Sequence, residues 1–324
     1  MIEKKVMVQL TRARCPGHIT GFFEIVRRDD AQHTGSRGAG VCISKGVETN
    51  VTAIKNPKKK ENKCIIKING EVSTAPVTQS VVNQFLSLLK DTYSLNIEHF
   101  LEVPIGAGFG ASGAGALSTA VALNTEFGLH LSRNRVATMA HIAEVENKTG
   151  LGDVIAQTFG GIEIRIEPGA PGIGRVDRIL SVEGSIKPDD LMVLCVNRGP
   201  IETKAILSNA MQAERINLAG KNMVEELVKH ATIEQLLRLS RKFMEESGLA
   251  SEKLKELLVY IDDLTKNGLP ASVQALGKSV FAFVERAKSA ELLDEIKAYS
   301  PDLNAFTCDV DYRGPRLVEV PDEA

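Results

Sequence analysis

The stretch Pro104–Leu117, PIGAGFGASGAGAL, sets the narrowest limits on what this chain can be. Glycines at 106, 108, 110, 113 and 115 let the backbone take positive φ angles and approach a ligand closely. The segment from Gly115 to Phe127 is rich in Ala and Leu and reads as a helix. A glycine loop feeding a helix N-terminus is an anion cradle, because unpaired N–H groups and the positive end of the macrodipole face outward together. The obvious guest is a phosphate chain.

Three templates compete for this loop. A P-loop needs Lys followed by Ser or Thr after its last glycine, and no Lys occurs between Pro104 and Lys148. A dinucleotide fingerprint is met by Gly106, Gly108 and Ala111, but it needs a following strand that ends in an acidic residue. Only Gly128–Leu131 separates the first helix from the next, so no ribose-binding acid is placed. The third template is Pro-x3-Gly-x-Gly-x-Ser-x-Ala. Pro104, Gly108, Gly110, Ser112 and Ala114 make the loop resemble the phosphate loop of the GHMP kinases. In those kinases the serine helps hold a magnesium ion. The ATP-binding set expected here is Pro104, Gly106, Gly108, Gly110, Ala111, Ser112 and Gly113.

The chain has 324 residues, enough for two domains, with 43% hydrophobic and 25% charged residues as in ordinary globular proteins. A net charge of −2 leaves no footprint for nucleic acid or anionic lipid. The basic run Lys58–Lys60 follows Pro57 and reads as a solvated hairpin tip. Five cysteines lack any C-x-x-C spacing and read as reduced thiols without a zinc site. With no leader-like segment and no apolar run near the ~18 residues of a membrane span, a cytoplasmic location is expected.

Val6, Val8 and Leu10 alternate as in a first strand, and Val41–Ile54, Ile65–Ile68 and His99–Val103 read as further strands. Val77–Lys90 has helical apolar spacing, and a second helix follows the N-cap Ser132. Ile162, Ile164 and Ile166 alternate with Glu163 and Arg165, which predicts a strand with one buried face. Breaks at Pro168–Gly174 and Lys187–Asp190 bracket a boundary, giving domains 1–180 and 181–324. In the second, Leu191–Val196, Ser279–Val284 and Asn304–Val310 read as strands. Its helices include Ala290–Ala298, one capped by Thr232 with Gln235, and one capped by Ser251 that ends near Gly268. The fold class is α/β, of α+β type.

Phosphoryl transfer needs a phosphate cradle, a divalent cation and a group that orients or deprotonates the acceptor hydroxyl. Ser112 offers an oxygen beside the phosphates. Glu144, four positions after Ala140 on the second helix, is the favoured metal carboxylate, with Glu146 as the alternative. Asp153, after the turn Thr149–Gly152, is the candidate base; helix capping ahead of Val154–Phe159 is the competing explanation.

The ordered set Cys15–His18, the Ser112 loop, Glu144, Gly152–Asp153 and Gly160–Gly161 resembles the GHMP kinase superfamily from Pro16 to about Arg165. That resemblance implies a nucleotide-binding N-terminal domain, a smaller ferredoxin-like C-terminal domain, ATP and Mg2+. The first motif usually begins Ala-Pro-Gly-Lys, whereas Cys15 and His18 stand here. The third, normally glycine-rich, matches Ala271–Lys278 with one glycine. Both departures point away from mevalonate, homoserine and galactose kinases. With Gly35–Gly40 and Pro16–Phe23 they make the whole chain similar to the archaeal pantoate kinase family. This implies phosphorylation of the primary hydroxyl of pantoate to 4-phosphopantoate in coenzyme A synthesis, and allows a homodimer. The alternatives are another small-molecule kinase of the superfamily, for shikimate or mevalonate, and a catalytically silent sensor. A hydroxy-acid substrate asks for a cation at its carboxylate. Arg165 suits that role, with His141 and Ser36 as further substrate contacts. His18 belongs to the first motif and is a further candidate for the pocket wall.

Overall fold

The computed structural model describes residues 10–56, 61–183, 190–200, 209–265 and 269–319. Val6, Val8, Lys58–Lys60, Lys187–Asp189 and Gly268 lie outside the described residues. Leu10 precedes the first strand rather than lying in it.

The chain opens on two long antiparallel strands, β1 (Thr11–Val26) and β2 (Gly35–Lys55), followed by β3 (Lys63–Ile68) and β4 (Glu71–Val72). Helix α1 (Pro76–Leu86), strand β5 (Tyr93–Leu101) and helices α2 (Ala111–Glu126), α3 (Arg133–Asn147) and α4 (Asp153–Phe159) come next, then β6 (Ile162–Glu167) and β7 (Arg175–Arg178). Beyond these lie β8 (Leu191–Asn197), α5 (Ala210–Gly220), α6 (Met223–Lys229), α7 (Ile233–Ser247) and α8 (Glu252–Thr265). The chain closes with β9 (Ser272–Val273), β10 (Ser279–Glu285), α9 (Ser289–Tyr299), β11 (Asn304–Cys308) and β12 (Arg316–Leu317).

Two sheets result. The first runs β12-β1-β2-β5-β3-β4, with β6 on β2 and β7 on β6; the second is the antiparallel β11-β8-β10-β9. The length of β2 lets it serve two partners: its C-terminal half pairs β5 and residues Gly38–Val41 pair β6. Register shifts in the β1–β2 ladder fall at Pro16/Gly17 and Thr20/Phe22. They bracket His18 and bend the strand around it, as bulges near functional sites do.

Helices α1, α2 and α3 cover the β5 half of the first sheet. Small residues permit this: α2 is buried along Gly113–Ala120, so helix and sheet approach closely. A second core joins the inner end of β1 to the second sheet and to α5–α8. Phe23 meets Phe243 with ring centroids 5.6 Å apart, and Phe109 at the glycine loop meets Phe306 at 5.4 Å. A buried Phe contributes roughly 1.5–3 kcal/mol, and the Phe109–Phe306 pair ties the loop to the second sheet.

Several expected boundaries shift. The loop's helix begins at Ala111 rather than Gly115, because Gly110 takes the left-handed N-cap position (φ 62°). Helix α1 stops at Leu86, four residues short of Lys90, and the strand before the loop is Tyr93–Leu101 rather than His99–Val103. Strand β6 is buried on both faces, since Glu163 and Arg165 are as covered as the isoleucines. Ser132 and Thr232 cap α3 and α7 as expected, accepting from the backbone N–H of Arg135 and Gln235. All five cysteines are free thiols, and among the described residues no helix is long and apolar enough to cross a membrane.

Candidate active site

The loop between β5 and α2 turns on Gly106, Gly108 and Gly110, with φ of 68°, 88° and 62°. Such angles strain any residue with a Cβ. Gly110 brings no capping side chain to α2, so the first-turn N–H groups stay available to an anion. The loop's carbonyls are held by two amides that the sequence does not single out. Gln157 on α4 donates to the Gly110 carbonyl at 2.9 Å, and Gln274 donates to that of Gly108. Ser279, just beyond the stretch matched to the third motif, donates to Ala107 O at 2.9 Å, and Gln274 lies within it, so that region braces the loop although the stretch has one glycine.

In front of the loop lies a cavity of about 270 Å³. One end is lined by Ser112, Gly113, Glu144, Thr149 and Asp153, the other by Val47, Ile68, Thr78, Leu101 and Ile105. An apolar slot continuous with a phosphate cradle is the shape a nucleotide requires.

Glu144 is 2% exposed on α3. Its Oε1 accepts from the Ser112 hydroxyl at 2.5 Å and from the Thr149 hydroxyl at 2.9 Å. Burial, with the nearby Asp153 charge, pushes its pKa up to about 7 against those two hydrogen bonds. Glu146 faces solvent, so of the two glutamates only Glu144 meets Ser112. Gly150 is needed for this packing: an added Cβ would strike Glu144 Oε2 and come 3.2 Å from Asp153 Oδ2. A buried carboxylate beside a phosphate cradle, with hydroxyl partners, fits a magnesium ion that takes its other ligands from phosphate and water. Among the described residues no group of three or more His, Cys, Asp or Glu could cage a metal without such help.

Asp153 is the first residue of α4, after the N-cap Gly152. Its side chain does not cap the helix. Oδ1 meets His18 Nδ1 at 2.7 Å, and His18 Nε2 meets Glu163 Oε1 at 2.9 Å. Arg165 then closes an ion pair on the same Glu163 oxygen. Burial alone lowers the His18 pKa, yet bonds and charges from Asp153 and Glu163 raise it overall, which favours an imidazolium donating from both nitrogens. His18, Glu163 and Arg165 are all fully covered. The signal for Glu163 was present as Glu-x-Arg in one strand, since i and i+2 share a face.

Arg165 keeps two buried nitrogens, Nε and Nη2, without a partner. A Cβ on Gly152 would strike Ser36 Oγ and lie 2.8 Å from Arg165 Nε. Ser36 and Arg165 therefore converge at Gly152, and neither lines the glycine loop's cavity. His141 is not brought to that cavity. Its Nε2 lies 2.9 Å from Thr34 O and 3.2 Å from Ala31 O, which anchors the turn leading into Ser36. Burial lowers its pKa against those bonds, so it serves as a neutral N–H donor.

Comparison with known proteins shows the family. Residues 78–161 match the model of the GHMP kinases N terminal domain. A pantoate kinase of Thermococcus kodakarensis is 38% identical over 294 residues, 89% of this chain and 93% of that protein. A pantoate kinase of Methanocaldococcus jannaschii is 34% identical, covering 92% of this chain and 99% of that protein. A solved phosphotransferase related to the CoA biosynthesis pathway superposes with a TM-score of 0.82 at 34% identity, over 96% of this chain and 99% of its own. The chain is a small-molecule kinase and belongs to the pantoate kinase family of the GHMP kinases.

Proposed function

We propose that this chain transfers the terminal phosphoryl group of ATP to the primary hydroxyl of pantoate, in the cytoplasm, with Mg2+ held by Ser112 and Glu144. The observation that carries this reading is the unbroken row Asp153–His18–Glu163–Arg165, which links the phosphate loop to a buried guanidinium with two unpaired donors. ATP and magnesium supply the phosphoryl group and the cation that neutralises charge on it.

The loop from Pro104 through Gly113 binds the phosphates through backbone N–H groups. Asp153 takes the proton of the acceptor hydroxyl on Oδ2, while His18 holds Oδ1 and aims the carboxylate. Arg165, with Ser36, receives the substrate carboxylate on Nε and Nη2; a planar fork suits that group. His141 fixes the turn before Ser36. We assign the nucleotide machinery to a domain of residues 1–180, with 181–324 as its α+β partner.

The experiment is ADP release over pantoate, mevalonate, shikimate and homoserine. Turnover on pantoate alone supports the reading. ATP binding with no turnover on any acceptor would indicate a silent sensor instead.

A further inference from the structure

In the row Asp153–His18–Glu163–Arg165, two cations share one carboxylate oxygen. Glu163 Oε1 lies 2.9 Å from His18 Nε2 and also takes the ion pair of Arg165 Nη1, and these two nitrogens are 3.4 Å apart. The other oxygen, Oε2, has no partner, and neither have Arg165 Nε and Nη2. On β2, Gly40 stands opposite Glu163 and Gly38 opposite Arg165. A Cβ at Gly40 would fall 2.6 Å from His18 Nε2, and one at Gly38 would fall 2.9 Å from Arg165 Nη2. The two glycines leave room for the three charged groups to meet.

A neutral imidazole carries one N–H, so it can donate to Asp153 or to Glu163 but not to both. The pose with both bonds needs the imidazolium. Burial opposes that form, and the bonds and charges of the two carboxylates outweigh it. Cys42, opposite His18 in the β1–β2 ladder, is held as a neutral thiol by burial and donates to Ala156 O at 3.3 Å. Glu144 stands on the Oδ2 side of Asp153. With an imidazolium the row is balanced, since carboxylates at Asp153 and Glu163 face cations at His18 and Arg165.

A ligand carboxylate on Arg165 Nε and Nη2 draws off part of the charge that Arg165 gives Glu163. It also adds buried negative charge, which is costly unless a cation stands by it. Both effects favour the imidazolium and strengthen the bond from His18 Nε2–H to Glu163. We infer that Glu163 is a positioning residue for phosphate transfer. Through the oxygen that His18 and Arg165 share, it makes the doubly bonded pose of His18, and so the aim of Asp153, depend on a carboxylate at Arg165. Asp153 is then held most firmly when the acceptor is in place. The inference rests on Arg165 receiving the substrate carboxylate.

The test follows the His18 ring by proton and nitrogen NMR, in the parent and in Glu163→Gln, with and without pantoate. Magnesium and a non-hydrolysable ATP analogue are present throughout. In the parent, pantoate should move the Nε2 proton downfield and let the ring keep both protons to higher pH. Glu163→Gln still offers an oxygen but no charge, so its ring should lose the second proton at lower pH, and pantoate should change that pH less. Its kcat should fall by about tenfold or more, most at high pH, with KM for ATP near the parent value. A Nε2 proton unmoved by saturating pantoate in the parent overturns the inference, and that readout needs no variant. An equal response to pantoate in both proteins, or an unchanged kcat in Glu163→Gln, also overturns it. None of these results touches the reading of the reaction, which fails only if the parent does not phosphorylate pantoate.

Discussion

His18 Nδ1 lies 2.7 Å from Asp153 Oδ1, so a buried imidazole aims the carboxylate proposed to receive the acceptor's proton. A histidine here replaces the lysine usual in the first motif and brings a second bond, to Glu163 at 2.9 Å. The residue that makes the motif atypical is thus the one that positions Asp153.

Asp153→Asn keeps an oxygen for His18 and introduces no new bulk. The variant should melt near the parent temperature while kcat falls by roughly 10²–10⁴ with ATP still bound. A variant of unchanged activity would remove Asp153 from the mechanism. Thermal melts, nucleotide binding and the coupled assay together decide it.

Ser112→Ala deletes the hydroxyl that meets Glu144 at 2.5 Å. Turnover should drop by about two powers of ten or more, as for loss of a transition-state contact, and a magnesium titration should show a higher midpoint. The fold should hold, because Thr149 still donates to Glu144.

For Arg165 the structure changes which variant is informative. Arg165 is paired with a fully buried Glu163, so Arg165→Ala strands a charge and should cost about 3–5 kcal/mol of stability. Arg165→Lys keeps the charge and loses the planar fork. It should raise KM for pantoate by about tenfold or more, equivalent to ~1.5–3 kcal/mol, with KM for ATP little changed. Equal rises in both KM values would make Arg165 purely structural.

Glu144 gives the metal-free protein a defined pH dependence. Its pKa is about 7 when folded against an ordinary 4.5, so the folded state binds this proton more tightly. That contribution is full below the ordinary value and is lost as pH rises through about 7. In EDTA the parent Tm should therefore fall between pH 5 and pH 8 more than that of Glu144→Gln, and magnesium with nucleotide should bind more weakly on the acid side. Parallel Tm profiles for the two proteins would refute the shifted carboxylate.

The glycine loop, its helix, Ser112, Glu144 and the Gly152–Asp153 turn were legible because each is local: spacing along a few residues fixes the backbone. Contacts between distant strands were not. His18 and Glu163 are 145 positions apart and meet because β6 pairs with the N-terminal half of β2, which in turn pairs with β1. The charge of Arg165 on an apolar strand is visible in the sequence, but its full burial follows from coverage on both faces of β6. The ring of His141 reaches the Thr34 carbonyl, a partner that no helical spacing reveals. Gln157 carries no motif, and Gln274 lies in the stretch matched to the third motif without standing out there; both matter because folding brings their amides to the loop's carbonyls.

The most direct measurement is phosphate transfer itself: the parent protein with ATP and magnesium, offered pantoate, mevalonate, shikimate or homoserine, with the product identified by mass and phosphorus NMR. The account predicts ADP release on pantoate alone, with the phosphoryl group on the primary hydroxyl. Phosphorylation of mevalonate, shikimate or homoserine in preference to pantoate, or no transfer with ATP bound, would contradict it.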